Sequence, residues 1–212
     1  MRSVALVDYG SGNLPSALKA LRRAAEAVGD TRVEATDDPE TISRADAVVL
    51  PGVGAFAACM DALRARAGVI EAMEAAVRHR GAPFLGICVG LQLMADQGRE
   101  FGLTPGLGWV GGEVRRLAPS DPALKLPHMG WNSIDRPHGP LFSGLANGDH
   151  MYFTHAYAIF PENEGVAAGW TDHGGTFVSA VTSGNLAGVQ FHPEKSQDAG
   201  ALLLRNFLEW RP

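Results

Sequence analysis

The 212-residue chain is long enough for one or two domains, with a core that buries roughly 70% of the unfolded surface. At 46% hydrophobic and 19% charged with 26 glycines, its composition is that of a soluble α/β enzyme with many tight connections. A net charge of −5 offers no basic face to neutralise phosphates, and no run of about 18 apolar residues exists, so neither nucleic acid nor membrane is expected as a partner.

From the N-terminus to about residue 97 the pattern is strand, glycine turn, helix, repeated. Ser3 to Asp8 predicts a strand, Gly10-Ser11-Gly12-Asn13 a turn, and Leu14 to Val28 a helix, with Leu14, Ala17, Leu18, Leu21, Ala25 and Val28 at helical spacing. Pro15 stands where a nucleotide fingerprint needs its third glycine, so the early loop reads as a turn and not a phosphate cradle. Arg32 to Ala35 is a short strand. Ala47 to Leu50, ending at Pro51-Gly52, and Pro83 to Ile87 are continuous apolar runs typical of buried parallel strands; Phe56 to Arg80 is helical with a break at Gly68. After residue 100 short strand-like runs follow without helices (Gly112 to Leu117, Val166 to Trp170, Thr176 to Thr182, Leu186 to Gln190), so this half reads as largely antiparallel. Ala199 to Trp210 closes the chain as an amphipathic helix. The expected fold is a single α/β domain: a mostly parallel central sheet flanked by helices, with a smaller antiparallel sheet in the second half. The N-terminus reaches Asp8 after a few apolar residues, too few for a signal-peptide core, so a cytoplasmic location is expected, and with it no disulfide between Cys59 and Cys88.

Leu85-Gly86-Ile87-Cys88-Val89-Gly90-Leu91-Gln92 places a cysteine at a strand-to-helix corner. Such a corner lifts the sulfur above the sheet, and the following helix N-terminus favours negative charge on it. A cysteine beside an apolar strand is ordinarily a small buried hydrophobe. Gly86 and Gly90 argue otherwise, because side chains there would clash in the turn. Cys59, on a helix without such glycines, keeps the ordinary role.

His192-Pro193-Glu194 supplies a base and a carboxylate two residues apart. In extended chain, positions i and i+2 project to one side, and the proline disfavours helical geometry at His192. The carboxylate would set the imidazole tautomer, completing a Cys-His-Glu triad. Among the other histidines, His79, His138 and His173 are expected in solvent; His128, His150 and His155 suit either core or site. Acyl transfer also needs oxyanion donors. Val89 N–H is one candidate, and Pro51-Gly52-Val53-Gly54, at the carboxyl end of a neighbouring strand, offers the second. With Gly52 and Gly54 on either side, the Val53 peptide is expected to reorient, so that the hole forms only in an activated state.

Gly86-Ile87-Cys88-Val89-Gly90-Leu91-Gln92 with Gln190-Phe191-His192-Pro193-Glu194 resembles the class I (triad) glutamine amidotransferases, which hydrolyse glutamine through a cysteinyl thioester. Asp8 to Leu14, Pro51 to Phe56, Lys125-Leu126-Pro127-His128-Met129-Gly130-Trp131-Asn132, Tyr152-Phe153-Thr154-His155 and His192 to Ser196 are similar to the glutaminase subunits of imidazole glycerol phosphate synthases. The resemblance implies Cys88 as nucleophile, His192 as general base and acid, and Glu194 as its orienter. It implies a glutamine pocket lined by Gly54, Gln92 and His155, with Glu100 toward the α-amino group. It also implies ammonia transfer to a (β/α)8-barrel cyclase subunit in histidine biosynthesis, faced by Asn13, Trp131, Tyr152 and Lys195. No cofactor or metal is implied.

Two departures stand out. The family often has Val-His-Ser where this chain reads Thr154-His155-Ala156, which removes a substrate hydroxyl contact at 156 but leaves a backbone contact. The acidic cluster after the elbow is thin, Asp96-Gln97-Gly98-Arg99-Glu100, which weakens the match at Glu100. The competing readings are a glutaminase of another class I complex, a dienelactone-hydrolase-like cysteine hydrolase and a catalytically silent partner module.

Overall fold

The computed structural model describes residues 1–212. In chain order the first half contains β1 (Arg2–Val7), α1 (Leu14–Val28), β2 (Thr31–Thr36), α2 (Pro39–Arg44), β3 (Ala47–Gly52), α3 (Phe56–Arg64), α4 (Val69–Glu74), β4 (Phe84–Cys88) and α5 (Val89–Gln92). The predicted α1 is found with those bounds: Ala17, Leu21, Ala24 and Ala25 face inward, and Pro15 sits in the first turn, where a missing N–H costs nothing. The predicted break falls at Gly68, in a left-handed conformation with φ +79°, and α4 continues into a π turn over Ala75–His79. Helix α2, capped by Asp38 accepting from Thr41 N, was not anticipated, since six residues are too few to show a period.

The second half contains β5 (Ala95–Gly98), β6 (Thr104–Pro105), β7 (Val110–Arg116), β8 (His128–Ser133), β9 (His150–His155), β10 (Tyr157–Pro161), β11 (Ala167–Asp172), β12 (Thr176–Ser183), β13 (Leu186–Val189) and α6 (Gln197–Glu209). The central sheet runs β11-β12-β13-β4-β3-β1-β2, with a four-stranded sheet β10-β7-β5-β6 and a ribbon β8-β9 beside it. The second half is less antiparallel than its sequence implied. β13 enters the central sheet parallel to β4, with Leu186 opposite Phe84, and β5 runs parallel to β7. All four β13 residues are buried, which suits an interior position between β4 and β12.

Strands β2, β1, β3, β4 and β13 are mutually parallel. Their carboxyl ends therefore lie along one edge, bringing the segments after Val7, Gly52, Cys88 and Val189 together. Strand β2 lies to one side of β1 and β3 to the other, so right-handed crossovers send α1 and α2 to opposite faces. Accordingly α1 packs against α6, and α2 against α4. No helix is long and apolar enough to cross a membrane.

Candidate active site

Cys88 ends β4, in register with Gly52 of β3, and adopts φ +55°, ψ −110°. L residues rarely hold this conformation; it costs about 1–3 kcal/mol and persists where the surroundings impose it. They do so here through contact of backbone on backbone. A Cβ at Gly86 would lie 2.6 Å from Gly90 O, and one at Gly90 would lie 1.9 Å from Leu50 O. The expected clash is therefore present, and it arises because α5 is seated directly on β3 and β4. Helix α5 is a single turn of four residues, so the expected support from a helix dipole reduces to its free N-terminal N–H groups.

His192 donates from Nδ1 to Glu194 Oε1 at 2.7 Å, and both side chains are almost fully buried. The extended-chain explanation for this pairing is wrong. Only His192 is extended (φ −104°, ψ 94°); Pro193–Lys195 is a 3-10 turn that folds Glu194 back onto the imidazole. Ser196 Oγ donates to His192 O, and His192 N to Tyr152 O, which fixes the entry to this turn. Burial opposes a charged His192, but Cys88 and Glu194 together outweigh it and push the imidazole up to about 9. Its Nε2, also buried, makes no hydrogen bond within the protein.

Cys88 and His192 border a cavity of about 220 Å³ that is also lined by Val53, Gly54, Val89, Gln92, Glu100, Thr154, His155, Ala156 and Tyr157. Gly52 and Glu194 do not line it; Glu194 reaches the site through its bond to His192. Glu100 accepts from Phe56 N at 2.8 Å, capping α3 with Oε2 and leaving Oε1 for a cationic group. Gly54 has the left-handed φ of +99° that only glycine takes readily. Gly52 does not: it continues β3, and a Cβ there would lie 2.8 Å from Gly90 N and 2.9 Å from Val89 Cβ. The expectation that both glycines loosen the Val53 peptide is thus corrected; Gly52 is required for space and only Gly54 for conformation. The Val53 carbonyl accepts from Ser11 Oγ at 2.9 Å and Cys59 Sγ at 3.3 Å. Cys59 is buried as expected, yet its thiol holds the candidate oxyanion loop.

His155 donates from Nδ1 to Tyr157 O at 2.9 Å, so its Nε2, 3.1 Å from His128 Nδ1, must accept. His128 Nε2 then accepts from Asn132 Nδ2 at 3.1 Å, and Asn132 Nδ2 also donates to Asp172 O at 2.8 Å. A backbone carbonyl at each end dictates the tautomers between them. Burial pushes His155 down to about 3 and His128 to about 4, so both rings are neutral. His155 lines the cavity, as expected, but with both ring nitrogens committed inside the protein. His173, expected in solvent, stacks on His128 with ring centroids 4.1 Å apart; His79, His138 and His150 are exposed.

Trp131, Tyr152 and Lys195 form one surface patch: Trp131 packs edge-on to Tyr152, and Lys195 Nζ lies over the Tyr152 ring. Asn13 is exposed at the start of α1, its side chain making no cap bond. Gln190, part of the quoted motif but given no role from sequence, is fully buried with Nε2 3.7 Å from Cys88 Sγ. A larger groove of about 950 Å³, between β7–β10 and β11–β12, contains none of the candidate residues.

The glutamine amidotransferase class-I family model matches residues 5–210. A Caulobacter vibrioides protein named imidazole glycerol phosphate synthase subunit HisH is 56% identical, covering 100% of both chains. One of the same name from Cereibacter sphaeroides is 50% identical over 98% of each chain. A solved glutamine amidotransferase from Thermotoga maritima shares the fold at TM-score 0.69 and 16% identity, covering 98% of this chain and 96% of its own. With that likeness running from end to end, the chain belongs to the class I glutamine amidotransferase family, among the HisH subunits of imidazole glycerol phosphate synthase.

Proposed function

We propose that this chain hydrolyses L-glutamine to glutamate and ammonia and passes the ammonia to a cyclase subunit built as a (β/α)8 barrel, in the cytoplasm. One observation carries the reading: a strained Cys88 and a His192 paired with Glu194 share a small cavity whose wall holds Glu100 and Gln92. In this reading the Cys88 thiolate attacks the carboxamide carbon, and His192 gives its proton to the departing ammonia. Water, deprotonated by His192, then cleaves the thioester to release glutamate and regenerate the thiol. Val89 N–H and an N–H of the 52–54 loop would stabilise the oxyanion, each typically worth about 3 kcal/mol. Glu100 Oε1 would receive the substrate ammonium, and the backbone at His155 and Ala156 would take the place of the absent hydroxyl. The patch of Trp131, Tyr152 and Lys195, with Asn13, would face the cyclase. Glu194 and the family membership leave the dienelactone-hydrolase and silent-module alternatives without support.

The test compares glutamine-dependent and ammonia-dependent synthesis by the reconstituted complex with its nucleotide substrate. Cys88→Ala should abolish the first by about 10⁴-fold or more and spare the second. Retained use of glutamine by this variant would sink the reading.

A further inference from the structure

Gln190 follows β13 and is anchored by its own N–H donating to Ser179 O at 2.8 Å. Its side chain is 0% exposed, and a buried primary amide brings two donors and an acceptor that must find partners. An apolar side chain would fill the same space without that demand.

The partners are on the page, and they fix which way the amide faces. Gln92 Nε2 is 2.8 Å from Tyr157 O, a backbone carbonyl that can only accept, so this atom of Gln92 is the amide nitrogen. The same nitrogen is 3.1 Å from Gln190 Oε1, which accepts its second proton. The NH2 end of Gln190 is therefore the end turned toward Cys88 Sγ, at 3.7 Å. Gln92 orients Gln190, and Gln190 addresses the nucleophile.

We infer that Gln190 supports the nucleophile directly: its side-chain amide donates to the Cys88 sulfur, favours the thiolate and fixes the direction in which the sulfur points into the cavity. The inference deepens the glutaminase reading and rests on it for its catalytic meaning. Gln190 is the neutral donor at the sulfur, and His192, whose imidazole Cys88 helps to raise, is the charged group beside it. A donor to the sulfur strengthens as the thiol ionises, so it raises the fraction of Cys88 present as the attacking thiolate.

The test reads thiol chemistry separately from turnover. The full chain is treated with iodoacetamide across a range of pH, and alkylation at Cys88 is followed by mass spectrometry in the parent, Gln190→Leu and Gln190→Glu. Loss of a hydrogen bond to a charged group corresponds to about tenfold or more. The Gln190→Leu rate at pH 7 should fall by that factor and converge on the parent at high pH. Gln190→Glu, which keeps the volume and places a carboxylate beside the sulfur, should fall at least as far. In complex with the cyclase, kcat for glutamine should fall in parallel. If Gln190→Leu does not fold, Gln190→Glu decides. A folded variant whose alkylation profile overlays the parent overturns the inference, while a parent complex without glutamine-dependent activity overturns the glutaminase reading alone.

Discussion

Two turns leave the same edge of the central sheet side by side and are held in opposite ways. At Cys88 the backbone is trapped against other backbone: Gly86, Gly90 and Gly52 bring β3, β4 and α5 so close that no Cβ fits between them. One strand over, the Val53–Ala55 segment is held by side-chain hydrogen bonds from Ser11 and Cys59, and Val53 is 40% exposed. The first arrangement can move only if the sheet opens. The second can be reset by exchanging two hydrogen bonds, each worth about 1 kcal/mol. In the proposed reading the nucleophile is fixed and the loop that would supply the second oxyanion donor is adjustable, so control of the rate would lie with that loop.

The largest effect expected lies on the fixed side. Glu194→Gln keeps the shape of the 3-10 turn but loses the charge that orients and supports His192. Glutamine hydrolysis by the complex should fall about 10³–10⁴-fold with little change in the unfolding midpoint; a loss below tenfold would remove Glu194 from the triad. Gly90→Ala attacks the corner itself. With a Cβ 1.9 Å from Leu50 O, urea unfolding should show a loss of about 3 kcal/mol or more. A variant of parental stability would show that the corner is looser than its contacts imply.

A smaller effect concerns the cavity wall. His155 titrates near 3, below the ordinary 6.5, so the stability its neutral ring contributes is complete above about pH 6.5 and is lost as pH falls toward 3. Between pH 6.5 and 5 the loss should be about 2 kcal/mol, and urea midpoints at pH 7 and pH 5 should show a smaller drop in His155→Phe than in the parent. Equal drops would place the acid sensitivity elsewhere. His192, raised to about 9, behaves oppositely: its contribution is complete below about pH 6.5 and fades as pH rises through 9. The smallest effect tests the adjustable side. Ser11→Ala removes one of the bonds on the Val53 carbonyl and should raise the basal glutaminase rate about fivefold, leaving the cyclase-stimulated rate unchanged. An unchanged ratio of the two rates would mean that the Ser11 bond does not restrain the loop.

Much of this was legible in the amino-acid sequence, unevenly and for physical reasons. Helix α1 could be read to its last residue because fifteen residues display the helical period in full. The Cys88 corner was legible because its glycines mark close approach, which no other residue tolerates. Strand β9 alternates buried Met151, Phe153 and His155 with more exposed neighbours, a period-two signal carried by only six residues. Strands β5 and β6 carry no such signal, being short and polar. His192 and Glu194 were paired correctly from an incorrect geometry, since proline restricts the residue before it without dictating the turn that follows. Gln190 could not be assigned locally: its partners Gln92 and Cys88 are 98 and 102 residues away.

The neutral histidine chain behind the cavity bears on what leaves it. Held near 3 and 4, His155 and His128 carry no titrating proton at pH 7, and Glu100 spends one oxygen on a helix cap. Of the histidines bordering the cavity, His192 alone can therefore trade protons at working pH, and the proposed cycle uses it for the reaction itself. In the proposed cycle, ammonia released here would meet no second imidazolium to trap it as ammonium, and would leave with the lone pair that the proposed cyclase reaction requires.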